Sequence, residues 1–299
     1  MKLVIALGGN ALLQRGEPQE AHLQKANIDI AAKAIAEIAV QHSLVICHGN
    51  GPQVGLLALQ NASYDQVAPY PLDVLVAETQ SMIGYWLQQA LQNRLSLEGV
   101  ATIVTQTEVD ANDPAFDAPT KPIGPIYDKA QSEALSQEHG WTMAPDNDAY
   151  RRVVPSPLPK SIIEIDAIKT LLHAEKTVIC AGGGGIPVVK STGKLQGIEA
   201  VIDKDRSSAL LAALLDADAF VILTDVDGVY SDFGTDHAKR HPTLSLDDIT
   251  AMNFAKGSMG PKVEACQQFV KQTGRFAAIG KLDQLSDILD NQAGTRITQ

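Results

Sequence analysis

Short apolar runs rich in Val and Ile alternate along this chain with longer stretches of helical periodicity, and that rhythm restricts the fold more than any other feature. The runs are KLVIAL (2–7), SLVIC (43–47), VATIVT (100–105), TVICA (177–181), AFVILT (219–224) and RFAAIG (275–280). They are too short and too β-branched for helices and read as buried strands. Between them, roughly 19–41, 72–95, 204–216 and 259–273 read as helices. In the second of these, apolar residues recur at three- and four-residue steps, and Pro71 suits the first turn. Strands and helices in alternation predict an α/β fold with a mainly parallel sheet.

One segment breaks the rhythm. Residues 110–160 hold eight of the fifteen prolines, which keeps them out of the middle of a sheet. The same stretch carries Phe116, Ile123, Ile126, Tyr127, Trp141 and Tyr150, enough apolar surface to fold. It reads as a small subdomain projecting from the main body and stiffened by its prolines.

The bulk properties narrow the function. A formal net charge of −11 argues against nucleic acid or an anionic membrane as partner. An anionic substrate must therefore be drawn by a few local cations. No apolar stretch approaches the ~20 residues of a membrane helix, and the N-terminal MKLVIALGGNAL reads as a strand rather than a signal peptide. Cys47, Cys180 and Cys266 lie far apart with no C-x-x-C pair, which fits a reducing cytoplasm and not a disulfide framework or zinc site.

Three strands run into glycine loops: Gly8-Gly9-Asn10, Gly49-Asn50-Gly51 and Gly182 to Gly185. Such loops let backbone N–H groups cradle an anion, and in an open α/β sheet they line the crevice at the carboxyl ends of the strands. Each alone is also an ordinary tight connection; together they point to a phosphate-rich ligand. The familiar motifs do not fit. Pro187 stands where a dinucleotide fingerprint needs glycine. Gly193-Lys194 is followed by Leu195 and lacks the upstream glycine at Val188, so it is no P-loop.

Phosphoryl transfer asks for positioning and for cations that take up charge on the moving group. Lys204, in EAVIDKDRSSALL, starts a helix between Asp203 and Asp205; a cation there opposes the helix dipole unless an anion is bound. The plainer reading is a helix cap with surface charges. Lys262, in GSMGPK, also opens a helix, with a solvated lysine as its alternative. Lys121 stands alone in the proline strap FDAPTKPIGPIYD.

The blocks ALGGNAL, HGNGPQVG, PLDVLVAETQSMIGY, APTKPIGP, RRVVPSPLP, GGGGIPV, EAVIDKD, ILTDVDGVY and GSMGPKVEA occur in this order over essentially the whole chain. Together they resemble the carbamate kinases of the amino-acid kinase superfamily. The resemblance implies a single three-layer α/β/α sandwich with a mainly parallel central sheet (1–299) and a small protruding lid subdomain at 110–160. The length prior of about two domains yields to it, because loops from both halves must meet in one crevice. It implies phosphoryl transfer between MgATP and carbamate, giving MgADP and carbamoyl phosphate, in a cytoplasmic homodimer. Related amino-acid kinases place a lysine before the first glycine loop, where this chain has Ala6-Leu7; carbamate kinases supply that cation from the lid, and the matching residue is Lys121.

The same carry-over assigns Gly8, Gly9 and Asn10 to the phosphoryl group and Gly49, Asn50 and Gly51 to carbamate. Lys204 and Lys262 meet the nucleotide phosphates, with Asp205 orienting them. Asp225, Tyr230, Met259 and Gly260 lie near the nucleoside, although for Asp225 and Tyr230 a strand end capped into a turn is an equal reading. Magnesium arrives with the nucleotide, since no dense carboxylate cluster is present to bind it. His48 has a packing or hydrogen-bonding role, because carbamate needs no base. Arg206 either contacts phosphate or faces solvent. Two rival functions remain: another acyl-phosphate kinase of the superfamily, and a non-catalytic nucleotide sensor on the same fold.

Overall fold

A computed structural model describes residues 1–9, 12–14, 16–252, 254 and 259–299. Its centre is an eight-stranded sheet. From one edge the strands run Thr243–Ser245, Thr295–Thr298, Phe276–Lys281, Ala219–Thr224, Lys2–Leu7, Ser43–His48, Thr177–Ile179 and Val100–Thr102. The last six are mutually parallel; Thr295–Thr298 runs antiparallel to its neighbour Phe276–Lys281. The apolar run 100–105 ends its strand at Thr102, and a separate strand, Gln106–Val109, follows it into a second sheet.

The continuous apolar runs are explained by burial on both faces. Side chains alternate, so Val4 and Ala6 face one layer while Leu3, Ile5 and Leu7 face the other. On the first side, helices Lys204–Leu214 and Met259–Thr273 deliver Leu211 and Phe269 against Phe220. On the second, helices Ala21–Ala39 and Leu72–Gln92 deliver Ile28, Ile35, Ile83 and Leu87. This is a three-layer α/β/α sandwich.

The proline-rich segment leaves and rejoins the body on an antiparallel pair of strands, Gln106–Val109 and Pro159–Ile162. Within it, Lys121–Tyr127, Ala149–Val154 and Met143–Asp146 form a three-stranded antiparallel sheet with helix Lys129–His139. Within this segment the prolines in strands sit on edge strands: Pro122 and Pro125 on one side of this sheet, Pro145 on the other, and Pro159 at the edge of a four-stranded sheet. The central strand Ala149–Val154 has none, as a missing backbone donor requires.

Helix Gly51–Ala62 packs against strand Lys121–Tyr127 of this segment. Val54, Ala58, Ile123, Val154 and Leu75 form one buried cluster. At its tightest point the two backbones meet with no side chain between them. A Cβ on Gly55 would lie 2.1 Å from the Cα of Gly124, which itself has φ +74° at an irregularity in the strand.

Candidate active site

Strands Lys2–Leu7 and Ser43–His48 end in register, Leu7 beside His48, so the loops that follow lie side by side. A cavity of about 600 Å³ opens over them. Gly9, Gly49, Asn50 and Gly51 form its floor, Lys121 and Arg151 come from the proline-rich segment, and Lys204, Asp205 and Lys262 close the far side. The position is the one expected for ligands in an open α/β sheet.

Asn50 is buried, and its side-chain amide donates to Thr79 Oγ1 at 2.9 Å. Gly183, with φ +65°, lies directly against it: a Cβ there would fall 2.3 Å from Asn50 Nδ2. Gln80 stitches the same region, donating to the Gly182 carbonyl (2.8 Å) and accepting from the Thr105 amide (2.6 Å). Of the glycine run 182–185, Gly183 alone lines the cavity. The rest of the run packs against His48, Ile202 and Thr107, so its smallness seats the neighbouring loop.

The charged groups form two adjoining sets of ion pairs. Lys204 Nζ donates to Asp205 Oδ1, and Lys262 Nζ donates to Asp205 Oδ2 at 3.1 Å. Lys121 Nζ reaches across from the proline-rich segment to Asp203 Oδ2 at 2.6 Å. Asp203 also caps helix Lys204–Leu214 through Oδ1, accepting from the Asp205 and Arg206 amides at 3.0 and 3.3 Å. Three lysines against two aspartates leave one positive charge over, in a cavity floored by glycine loops, on a protein whose total is −11. Such an excess suits an anion.

Burial and pairing compete at each group. Lys204 is 8% exposed, and burial lowers its pKa against the opposing charge of Asp205. At Lys262 burial works the same way, but the charge and hydrogen bond of Asp205 outweigh it and the pKa rises. Burial would raise Asp203; the charge of Lys121 and its hydrogen bond, with Lys204, hold it well below the usual carboxylate range. Asp205 is likewise held down, against burial, by Lys204 and Lys262. At each of the four, the opposite charges beside it favour the ionised form against burial.

His48 lies under this floor. Its Nδ1 lies 3.0 Å from the Gly49 carbonyl and its Nε2 is sealed off without a partner. Burial pushes its pKa down to about 4. Neutral His48 is therefore the donor of that contact and holds the loop from beneath; it does not reach the cavity.

Gly8, Asp225, Tyr230, Met259 and Gly260 fall outside the cavity lining. Gly8 sits behind it, its amide donating to the Leu223 carbonyl at 2.7 Å. Met259 packs on the core and Gly260 is buried, both one turn from Lys262. Asp225 is exposed and accepts from Thr224 Oγ1 at 3.1 Å, and its charge acts on Lys262. Tyr230 donates to Asp227 Oδ1 at 2.8 Å. Asn10 lies outside the described residues. Arg206 does line the cavity, and its guanidinium pairs with Glu264 at 2.9 Å, joining its helix to Met259–Thr273. Sequence reasoning gave no role to three residues that matter to the site: Thr79, which orients Asn50; Asp203 as the seat of Lys121; and Arg151, which lines the cavity and pairs with Asp146 at 3.0 Å. The proximity of Asp203 to Lys204 was the visible signal for the second.

Comparison with known proteins bears on this arrangement directly. A profile of the amino acid kinase family matches residues 1–280. The carbamate kinase of Haemophilus influenzae is 56% identical over 301 residues, covering 100% of this chain and 97% of its own length. That of Rhizobium meliloti is 51% identical over 302 residues, covering 100% and 93%. Among solved structures, carbamate kinase from Giardia lamblia bound to AMP-PNP superposes with a TM-score of 0.90 at 39% identity, covering 99% of this chain and 98% of that one.

Proposed function

The chain belongs to the amino acid kinase family, and from that premise we infer that it is a carbamate kinase, moving a phosphoryl group reversibly between MgATP and carbamate to give MgADP and carbamoyl phosphate. The observation that carries the reading is the cation-rich cavity, in which Lys121, Lys204 and Lys262 converge on two carboxylates above two glycine loops.

In this reading a carbamate oxygen attacks the γ-phosphorus, the bond to the bridging oxygen breaks, and ADP leaves. Carbamate is already anionic, so no base is required; the work is positioning and charge stabilisation. Gly49, Asn50 and Gly51 hold carbamate, while Gly9 and Asn10 hold the transferred group and Gly8, whose amide is bound to Leu223, supports their loop from behind. Lys204 and Lys262 meet the nucleotide phosphates, and Asp205 keeps the two cations apart at a fixed spacing. Lys121 comes from a lid at 110–160, part of a single domain, and takes up charge on the moving group. The nucleoside lies towards Asp225, Tyr230, Met259 and Gly260. Both cavity carboxylates are engaged by lysines, so magnesium, entering as part of the nucleotide substrate, is held chiefly by phosphate oxygens and water. The enzyme acts as a cytoplasmic homodimer and makes ATP during breakdown of nitrogen compounds.

The test is to mix the protein with carbamoyl phosphate and MgADP and follow ATP through a coupled assay. Protein-dependent ATP formation is expected. Folded protein that binds ADP but makes no ATP would overturn the assignment, and would favour another acyl-phosphate kinase or a nucleotide sensor.

A further inference from the structure

A second cavity, of about 420 Å³, lies on the opposite side of the lid sheet from the active site. Its position follows from strand alternation. Arg151 and Arg152 are consecutive on the central strand Ala149–Val154, so they point to opposite faces. Arg151 lines the first cavity and Arg152 the second.

The second cavity has a particular chemistry. Arg152 stacks on Trp141, its guanidinium carbon 4.0 Å from the ring centroid. Among the described residues it makes no ion pair and no side-chain hydrogen bond, so the in-plane N–H groups of a half-buried guanidinium open on the cavity without an acceptor. Burial lowers its pKa, against the charge of Glu199 across the cavity. Across the cavity stands Glu199, exposed at the rim. One of its oxygens accepts from the Leu72 amide at 2.9 Å, capping helix Leu72–Gln92. Between the two charges the floor is aliphatic, made by Ala58, Leu72 and Leu75. A cation, an anion and an apolar floor, placed on two separate parts of the fold, match a small molecule that carries both charges and a hydrocarbon group.

We propose that this cavity binds a small aliphatic α-amino acid, its carboxylate on Arg152, its ammonium on Glu199 and its side chain on Ala58, Leu72 and Leu75. The volume is within the usual range for small-molecule sites, and the planar fork of arginine suits a carboxylate. The site also has a mechanical consequence. Arg152 sits on the strand whose Val154 pairs with Lys121, and Glu199 leads within a few residues to Asp203. An amino acid bridging Arg152 and Glu199 therefore ties together the two segments that carry the Lys121–Asp203 ion pair between lid and body.

Trp141 and Trp86 are the two tryptophans of the chain, so Trp86→Phe leaves Trp141 as the sole indole reporter beside Arg152. Titrating this variant with L-leucine should give a saturable change in Trp141 emission. Adding Arg152→Met, or Glu199→Gln, should weaken the interaction by about tenfold or more, the loss of one hydrogen bond to a charged group. Leucinamide, without the carboxylate, and 4-methylpentanoate, without the ammonium, should each bind more weakly than leucine. Calorimetry of the unsubstituted protein with the same three compounds gives a measurement independent of the variants. No saturable response to leucine at about 10 mM by either method, or a response unchanged by Arg152→Met, would overturn the proposal. Equal binding of 4-methylpentanoate and leucine would overturn the assignment to a zwitterion. None of these readouts depends on phosphoryl transfer.

Discussion

Asp203 serves two structures with one carboxylate. Oδ1 caps a helix, and Oδ2 holds the lid lysine. Removing the cation and removing the carboxylate network should therefore have different effects. In the role proposed for it, Lys121 stabilises charge on the moving phosphoryl, so Lys121→Ala should lower turnover by roughly 10²–10³, about 2.7–4 kcal/mol. The fold should survive with a modest loss of urea stability, because Lys121 is partly exposed and Asp203, losing that partner, keeps its bonds to the Asp205 and Arg206 amides. Near-normal turnover in the coupled assay would refute the assigned role. Asp205→Asn acts in the opposite way. It leaves buried Lys204 facing Lys262 without a carboxylate, and breaking a buried pair from one side costs about 3 kcal/mol. Urea unfolding should show that loss; an unmoved midpoint would mean that the lysines have found other partners. The individual lysines were visible in the sequence because each opens a helix or stands alone among prolines. Their sharing of carboxylates was not, since Lys121 and Asp203 are brought together only by the docking of the lid.

At the level of elements, what keeps the lid in place is close contact between backbones. Helix Gly51–Ala62 and strand Lys121–Tyr127 approach so closely at Gly55 and Gly124 that no Cβ fits between them. Gly55→Ala should therefore push the strand away, with an overpacking cost of about 1–3 kcal/mol. It should also displace Lys121, and misplacement of a positioning group by about 1 Å is enough to cost about 10²-fold in turnover. The outcome to measure is both together: lower urea stability and lower turnover in the same variant. Loss of stability with unchanged turnover would show that Lys121 is positioned independently of this contact. The prolines kept 110–160 out of a sheet interior in the sequence reading, and the structure meets that condition with edge strands. It was not legible that the segment would still form a sheet, because periodicity is obscured in short strands broken by Pro122, Pro125 and Pro145.

For the whole molecule, the relation between charge and burial predicts how stability follows pH. His48 is neutral in the fold, its pKa pushed to about 4 by burial, while in the unfolded chain it titrates near the ordinary 6.5. Between these values the unfolded state binds the extra proton, so stability falls as the pH drops from about 6.5 towards 4, by about 3 kcal/mol in all. The carboxylates of Asp203 and Asp205 are depressed, so their contribution is present above the ordinary carboxylate pKa and is lost only at lower pH. Comparing urea unfolding at about pH 7 and about pH 4.5 should show the first loss in the parent and a smaller one in His48→Gln; equal losses would mean that other groups carry the dependence. By itself the sequence determined the α/β class, the six parallel strands of the central sheet and the loops at their ends, but not the edge strands Thr243–Ser245 and Thr295–Thr298. Those follow from local patterns: apolar runs buried on both faces, helical spacing, and glycine after a strand. The tertiary structure alone decided that Asp203 seats Lys121, that the run 182–185 packs around Asn50 and His48, and that Arg151 and Arg152 serve separate cavities. Each of these depends on segments distant in the chain meeting in space, and no local pattern encodes which partner a side chain will find.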